Sequence, residues 1–450
     1  MVKLNDTTKY VELYVEDLRT RVRSPPAPPI KKPHLRMRLF SLIAIIFIFN
    51  LATINVTISS IQPHLFMKLK TFIFSLFVLI QAPSLAAQAN GGLFFECGVG
   101  KLAQLKSEIN TYQQELGVDA TVYEVHENGT RLRLSLKDPS IYGTLYLRWD
   151  PKYNITEERI SLPSAKGLKE IETVSKKEIL LALMHHGRKT VFAGNACHID
   201  ALREHVEIRQ MIVAWSEHLH WSFPDGGSAQ WNQRYWDQGN LKPGASLDEA
   251  LRDFFIQPEK CSIGCYTATK IVIIQGILDY FRRIKKDDAM ADAIIKRLKS
   301  DDDVLVGIEP GAMWSFQKPI NPEELKRLGK LLKIQNEVAP MNFIPGDWVY
   351  FVNNDPKSSD VDGYEGSNTI YMGRASFDDF YNDNQHHYLY NEKIQNIYNW
   401  RNGVFSRSRH YQKMQSLSPE QIDQLGLTPQ EGGFVLSNRA IPYFFGFEPF

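Results

Sequence analysis

The spacing of apolar residues predicts a helix followed by strands in the first part of the folded chain. Helical spacing runs through residues 98–116, and apolar and polar positions then alternate through residues 120–150 in two or three predicted strands. A loop is predicted at residues 161–167, and a short helix follows over residues 175–185. This order predicts a small α+β domain over residues 90–165.

Helices precede strands in the second part of the chain as well. The pattern predicts helices over residues 198–221, 246–255, 265–283, 289–298 and 322–332. From Phe343 the apolar period changes to two, which predicts strands over residues 347–352 and 368–372. Helices followed by strands in one block favour an α+β fold over residues 175–450.

The pattern of the first 89 residues is typical of targeting and membrane-anchoring segments. Residues 1–66 contain a proline-rich basic stretch and then an apolar stretch about long enough to span a bilayer. Residues 67–89 combine a basic start, an apolar run and a small-residue cleavage site, which is typical of a secretory signal peptide. Either Met67 is the true start, or residues 1–66 form an N-terminal membrane anchor. Both alternatives predict that the folded part is secreted or periplasmic.

Charge and cysteine content narrow the function classes. The formal net charge is only +1, so the chain lacks the one-sided basic character of a nucleic-acid-binding protein, and no nucleic-acid partner is predicted. A membrane is predicted as a partner only through the N-terminal segment. In an oxidising compartment Cys97 and Cys197 could pair, but four cysteines allow three connectivities.

Cys265 is the residue whose position in the sequence favours a catalytic role. It stands at the start of a predicted apolar helix, where free backbone N–H groups and the helix dipole stabilise a thiolate. Cys261 lies in the preceding loop. The alternative is that Cys261 and Cys265 are both buried cysteines with a packing role only. A zinc site would need further ligands at suitable spacing, which Cys97 and Cys197 do not supply, so no metal and no cofactor are predicted.

Three sequence blocks in a fixed order carry a resemblance to a known family. They are IGCYTATKIVII at residues 263–274, NFIPGDWVYF at residues 342–351 and EGSNTIYMG at residues 365–373. Together they resemble the Bacillus spore-coat type of transglutaminase, a protein-glutamine gamma-glutamyltransferase. The resemblance implies a papain-like, NlpC/P60-related core, in which a nucleophile at a helix N-terminus packs on an antiparallel sheet.

The resemblance also implies roles for individual residues. Cys265 takes the position of the nucleophile, and Ser367 stands where the family carries a glutamate. Glu365 lies two residues away, and because residues two apart in a strand share a face, it is predicted as the displaced acid/base partner. The family's histidine falls near His386 or His387.

Two further positions bear on the predicted site. Gly264 stands where the family has an acidic residue directly before its cysteine. Trp231 and Trp236 are predicted to contact substrate by lining a tunnel that keeps water from the thioester, although clustered tryptophans are also typical of a core.

The implied reaction is cysteine-dependent acyl transfer from a protein glutamine, as donor, to a lysine amine, as acceptor, which cross-links proteins without a cofactor. An exported cysteine peptidase or amidase acting on cell-wall peptides is the alternative enzyme. A catalytically inactive binding module is the alternative from another class.

Overall fold

The computed structural model describes residues 91–439 with internal gaps. The gaps are residues 99, 140–142, 220–229, 238, 300–313, 316–331, 334–341, 362, 381–386, 407–413 and 428–430. The predicted anchor and signal peptide, most of the helix predicted at residues 322–332, and His386 lie outside the described residues. Within the described part, no helix combines the length and apolar character needed to cross a bilayer.

A mixed four-stranded sheet is built from the first described strands. The elements of this part of the chain, in order, are β1 (Gly92–Glu96), α1 (Leu102–Glu115), β2 (Tyr123–Asn128), β3 (Arg131–Leu136), β4 (Glu158–Ser164), β5 (Gly167–Thr173), α2 (Lys176–Leu183) and β6 (Lys189–Ala193). The strand order is β2-β3-β1-β6, and β4 and β5 form a separate antiparallel hairpin. In the four-stranded sheet β1 pairs antiparallel with β3 and parallel with β6.

The boundary predicted between residues 165 and 175 is not a break in this sheet. β1 lies before that boundary and β6 lies after it, yet Leu93 pairs with Thr190. A disulfide between Cys97 and Cys197 crosses the same boundary. Apolar side chains on both sides belong to one buried cluster. The described residues on both sides of this boundary therefore fall within one compact unit.

Two local predictions for this region are wrong. The third strand predicted at residues 144–149 is a turn followed by a short 3₁₀ helix over Leu147–Trp149. Gly143 has a φ of +63° there, and the Thr144 hydroxyl donates to the Phe343 carbonyl, so the segment is held by a tertiary contact rather than by a sheet. The loop predicted at residues 161–167 is instead the turn end of the β4–β5 hairpin, in which Pro163 pairs with Leu168.

A helical layer follows. Its elements in chain order are α3 (Ile199–His218), β7 (Trp236–Asp237), β8 (Asn240–Leu241), α4 (Leu247–Ile256), α5 (Cys265–Asp279) and α6 (Asp288–Leu298). These bounds agree with the helices predicted there, and the Ser246 hydroxyl accepts the Glu249 N–H as the N-cap of α4. α3 and α5 pack closely because Gly276 presents no side chain to Ile212.

A five-stranded antiparallel sheet lies next to α5. The remaining elements are β9 (Trp314–Ser315), β10 (Leu332–Lys333), β11 (Trp348–Val352), β12 (Gly366–Gly373), β13 (Ser376–Asp378), β14 (His387–Leu389), α7 (Tyr390–Arg401), α8 (Pro419–Leu425) and β15 (Val435–Arg439). The sheet order is β14-β13-β12-β11-β15. The two strands predicted from the period-two pattern are thus its central pair, and the mixed α+β class is confirmed.

The two faces of β12 meet different partners. Ile370 and Met372 join the apolar cluster that contains α3 and α5. Tyr371 joins a second cluster with Ile394 and Ile397 of α7. Because side chains alternate along a strand, even-numbered positions of β12 face α5 and odd-numbered positions face α7.

A buried charge cluster fixes the turn that enters β11. Asp347 is fully buried and forms ion pairs with the guanidinium groups of Arg188 and Arg209, and it accepts the Ile344 N–H at 2.9 Å. Burial alone would raise the pKa of Asp347, but the two arginines outweigh it and the pKa is lowered. Arg209 also donates to the Pro345 carbonyl at 3.1 Å. The Pro-Gly-Asp turn is therefore held by charge as well as by its backbone.

Candidate active site

Cys265 is the first residue of α5, at the end of the helix that faces the sheet. Gly264 is the N-cap, with extended backbone and no capping side chain. The backbone N–H groups of the first helical turn and the positive end of the helix dipole consequently lie at Cys265. Its side chain is only partly buried, and the following residues of α5 from Ala268 on are buried. The placement of this thiol at a helix start agrees with the sequence prediction.

Asn368 of β12 donates to the Cys265 sulfur. Its backbone N–H lies 3.3 Å from Sγ, and its side-chain Nδ2 lies 3.8 Å from the same atom. Both distances fall within the range expected for hydrogen bonds to sulfur. One residue therefore contacts the thiol through its backbone and its side chain at once.

The register of the sheet explains why this N–H is available. Tyr371 exchanges backbone hydrogen bonds with Gly346 and Asp347 on the β11 side, at 2.8 and 2.9 Å. N–H groups of even-numbered residues in β12 accordingly point to the β13 side. β13 ends at Asp378, opposite Ile370, so the ladder between β12 and β13 stops two positions before Asn368, whose N–H donates to Cys265 Sγ. The chain then turns away at Phe380, whose φ is +67°.

Trp348 of β11 fixes the orientation of the Asn368 amide. The indole Nε1–H donates to Asn368 Oδ1 at 3.0 Å. Since the oxygen end of the amide is engaged by the indole, the Nδ2 end is directed to the sulfur. Trp348 is fully buried and its ring lies 5.4 Å from that of Tyr266, the residue after Cys265.

Ser367 lies on the opposite face of β12. Its hydroxyl donates to Asp379 Oδ2 at 3.0 Å, and Asp379 forms a fully buried ion pair with Lys393 of α7. The Lys393 ammonium also lies 4.1 Å from the centre of the Tyr388 ring. Ser367 and its partners therefore belong to the α7 side of the sheet, while the sulfur is on the α5 side.

Glu365 and His387 occupy different parts of the sheet. Glu365 directly precedes β12, is partly buried, and accepts the Asn353 N–H at its carbonyl oxygen at 3.0 Å. His387 lies on β14 opposite Asp378 and forms an ion pair with Glu217 of α3 at 3.0 Å. Burial would lower the pKa of His387, but the hydrogen bond and charge of Glu217 and the charge of Asp378 more than offset it, so the pKa is raised.

Trp231 and Trp236 lie beside the loop that leads to Cys265. Their ring centres are 5.6 Å apart, and both contact Phe254 of α4. Gln230 exchanges backbone hydrogen bonds with Ser262, three residues before Cys265. Trp236 is almost fully buried and Trp231 is partly exposed. The two tryptophans therefore pack in the core and also lie next to the loop that leads to Cys265. Of the two, only Trp231 is partly exposed to solvent.

The second free thiol, Cys261, lies in a different environment. It is buried, and burial raises its pKa to about 12. A thiol with such a pKa stays protonated near neutral pH and is a poor nucleophile. Among the described residues, no group of three or more His, Cys, Asp or Glu side chains is arranged to hold a metal ion.

Comparison with known proteins identifies the family. Residues 159–401, more than half of the chain, match the family model described as protein-glutamine gamma-glutamyltransferase. The chain belongs to this family. It is therefore an acyltransferase that acts on protein substrates.

A solved transglutaminase structure also matches part of the chain. A transglutaminase from Geobacillus stearothermophilus, without its C-terminal extension, is 22% identical and aligns over 48% of this chain and 89% of that chain, with a TM-score of 0.32. No curated protein matches the chain.

Asn368 and Trp348 are the site residues that sequence reasoning missed. Both lie inside the blocks that carry the family resemblance, but each reads as an ordinary strand residue. The alternation of side chains along the strand could have revealed Asn368. Ile370 is apolar and faces inward, and Asn368, two positions before it, is a polar residue on the same face. A polar residue on the buried face of a strand needs a partner, and here the partners are a thiol and an indole.

Proposed function

We propose that Cys265 is the nucleophile of a protein-glutamine gamma-glutamyltransferase with a papain-like core of the spore-coat type. The observation that carries this proposal is the position of Sγ between the N-terminus of α5 and the Asn368 N–H. Positive dipoles converge on the sulfur from the helix and from the strand, and both favour a thiolate over a thiol. Cys261 is buried in the loop before α5, and burial raises its pKa.

The proposed reaction has two acyl-transfer steps. The Cys265 thiolate attacks the carboxamide carbon of a glutamine side chain, and the carbon–nitrogen bond of the tetrahedral intermediate breaks. Ammonia leaves with a proton from a general acid, and a thioester remains on Cys265. A lysine amine then attacks the thioester and gives a proton to a general base. The carbon–sulfur bond breaks, and the thiolate is restored with a new isopeptide bond.

Two residues are proposed for the proton transfers. Glu365 directly precedes the first residue of β12, outside the stretch whose alternation turns Ser367 to the α7 side, and is the candidate base. His387, whose pKa is raised by Glu217 and Asp378, is the candidate acid. Ser367 is not proposed for this role, because its hydroxyl donates to Asp379 on the α7 side of the sheet. Loss of one limb of the pH–rate profile in Glu365→Gln or in His387→Gln would support the assignment.

The proposed location is outside the cytoplasm. It is supported by the signal-like segment at residues 67–89 and by the Cys97–Cys197 disulfide, a bond that persists in oxidising compartments. Sequencing of the N-terminus of the mature protein tests this proposal. A mature chain that begins near Asn90 supports export with cleavage, and a chain that begins at Met1 supports the membrane-anchored alternative. Recovery of the protein from the cytoplasmic fraction would contradict the proposed location.

The experiment that tests the nucleophile is amine incorporation. Purified wild-type protein, Cys265→Ala and Cys261→Ala are incubated with a glutamine-containing protein and a fluorescent primary amine, and the release of ammonia is measured in parallel. We expect Cys265→Ala to lose at least about 10³-fold of the incorporation rate. The matched variant Cys261→Ala is expected to retain activity.

The other outcomes separate the alternative functions. Ammonia release or peptide cleavage that depends on Cys265 but gives no amine uptake would indicate a hydrolase. A wild type as inactive as Cys265→Ala in every assay would indicate a binding module. Equal activity of Cys265→Ala and wild type would overturn the assignment of the nucleophile.

A further inference from the structure

The contacts of the Cys265 sulfur define a second functional element, which lies on the sheet rather than on the helix. Asn368 reaches Sγ with its backbone N–H at 3.3 Å and with its amide Nδ2 at 3.8 Å. Trp348 donates from its indole to the other end of the same amide at 3.0 Å. These contacts form a chain of three residues, from the indole through the amide to the sulfur.

We infer that Asn368 is a catalytic residue that stabilises the Cys265 thiolate, and that Trp348 is the residue that positions its amide. This inference rests on the proposed role of Cys265 as the nucleophile. A carboxamide can present either its oxygen or its nitrogen to a neighbour. Presented to a thiolate, the oxygen would repel the charge, whereas the NH₂ group donates to it.

The indole resolves this choice of orientation. An indole N–H is a donor only, so it accepts no hydrogen bond from an NH₂ group. With the Trp348 N–H on one side, the amide oxygen must turn to the indole, and the NH₂ group must turn to Cys265. Burial strengthens this preference, because Trp348 is fully buried and Asn368 is 9% exposed, so water competes little for either end.

The backbone contact adds a donor that side-chain substitution does not remove. The Asn368 N–H points past Asp378, the last residue of β13, to Cys265 Sγ. Truncation of the side chain to alanine therefore removes Nδ2 and leaves the N–H in place. The amide contribution can thus be measured apart from the backbone contribution.

The test is the pH dependence of Cys265 alkylation. Iodoacetamide reacts with the thiolate, so the rate at the Cys265 peptide, followed by mass spectrometry, gives the apparent pKa of this thiol separately from Cys261. We expect Asn368→Ala to raise the apparent pKa by about one unit, and Asn368→Asp to raise it further because the new carboxylate repels the thiolate. The kcat for amine incorporation is expected to fall about tenfold, with KM nearly unchanged.

Trp348 is tested through its coupling to Asn368. Trp348→Phe removes the indole N–H and keeps an aromatic ring, and we expect it to raise the apparent pKa of the wild-type thiol. In the Asn368→Ala background the same substitution is expected to have no further effect, because no amide remains to be oriented. Equal shifts in both backgrounds would show that Trp348 acts only through packing and would overturn its positioning role.

Matched controls come from the far side of the sheet. Trp400 and Asn399 of α7 are also fully buried and hydrogen-bonded, with the Trp400 indole donating to Ser406 O at 3.0 Å and Asn399 Nδ2 to Gln395 O at 2.7 Å. Trp400→Phe and Asn399→Ala are expected to change stability but not the alkylation profile. Where Asn368→Ala does not fold, Asn368→Asp provides the measurement.

The outcomes distinguish this inference from the proposed function. An alkylation profile that is unchanged in folded Asn368→Ala and Asn368→Asp would overturn the role of Asn368, even if Cys265→Ala is inactive. If Cys265→Ala keeps its activity, the proposed function fails, and the alkylation shifts still report whether Asn368 stabilises the thiolate.

Discussion

Two buried carboxyl groups have pKa values displaced towards neutrality. Burial raises the pKa of Glu178 to about 7, although the Arg374 N–H and the charge of Arg148 act against it. Burial raises the pKa of Asp378 to about 8, although the charge of His387 and the donors around it act against it. Neutral pH therefore lies close to the pKa values of both carboxyl groups.

The raised pKa of Asp378 makes a prediction for stability. The folded pKa of about 8 lies above the ordinary value of 3.8, so the stabilising contribution is present below pH 4 and is lost as the pH rises to about 8. We expect Asp378→Asn to flatten this decline by up to about 1.4 kcal/mol per pH unit. Urea denaturation of the wild type and of Asp378→Asn at pH 4.5, 6 and 7.5 measures the free energy of unfolding from which the two slopes are obtained.

The exposed Asp237 supplies the comparison for this measurement. Asp237→Asn, the same substitution at an exposed position, is measured in parallel as the control. Equal slopes for wild type and Asp378→Asn would show that Asp378 does not titrate in this range.

At the residue scale the position of Cys265 is easier to predict from the sequence than the contacts of its sulfur. Cys265 is recognisable because a helix start and a family block coincide there. Ser367 and Asn368 are adjacent in sequence, but the alternation of side chains sends one to Asp379 and the other to the sulfur. Which of two neighbours meets the thiol depends on the register of β12, and no single residue type reveals that register.

The packing of α3 on α5 depends on one glycine. A Cβ atom at Gly276 would lie 2.7 Å from Ile212 Cγ1 and 2.8 Å from its Cα and N atoms, so backbone rather than a flexible side chain must move. We expect Gly276→Ala to reduce the free energy of unfolding by about 1–3 kcal/mol. Thermal or urea unfolding of the purified variant measures the loss.

Gly264 in the same helix is the matched control. A Cβ there would meet nothing within 4 Å, and its φ of −69° suits any residue. Gly264→Ala is therefore expected to cost less than about 1 kcal/mol, the usual scale of an N-cap effect. Similar losses for both variants would contradict the close contact of α3 and α5.

At the element scale periodic segments are predicted well and tertiary contacts are not. α5 and the pair β11–β12 follow directly from their apolar spacing. Residues 144–149 alternate as a strand would, yet Thr144 is held by the distant Phe343 carbonyl. Pro163 and Gly167 indicate a loop, yet they lie at the end of an isolated hairpin where proline is tolerated.

At the scale of the molecule the disulfide joins segments that are far apart in sequence. Cys97 follows β1 and Cys197 precedes α3, with a sequence separation of 100 residues. Closing a loop of this length is worth up to about 4.7 kcal/mol in chain entropy, and measured values are commonly about 2–4 kcal/mol. The pairing could not be chosen from sequence, because it depends on β1 and β6 lying side by side.

Reduction is expected to lower stability by about 2–4 kcal/mol. Urea denaturation with and without reductant measures the loss in the wild type. The Cys97→Ser/Cys197→Ser variant is expected to show the lower stability in both conditions. A wild type that is insensitive to reductant, with Cys97 open to alkylation in the native state, would contradict the disulfide.

The short length of β13 has a chemical consequence. Two more residue pairs on this strand would bring position 380 opposite Asn368, and the N–H that now donates to the sulfur would instead donate within the sheet. The reactivity of the thiol is thus linked to where a neighbouring strand stops. An insertion or deletion near residue 380 would change the chemistry of Cys265 without altering any side chain that touches it.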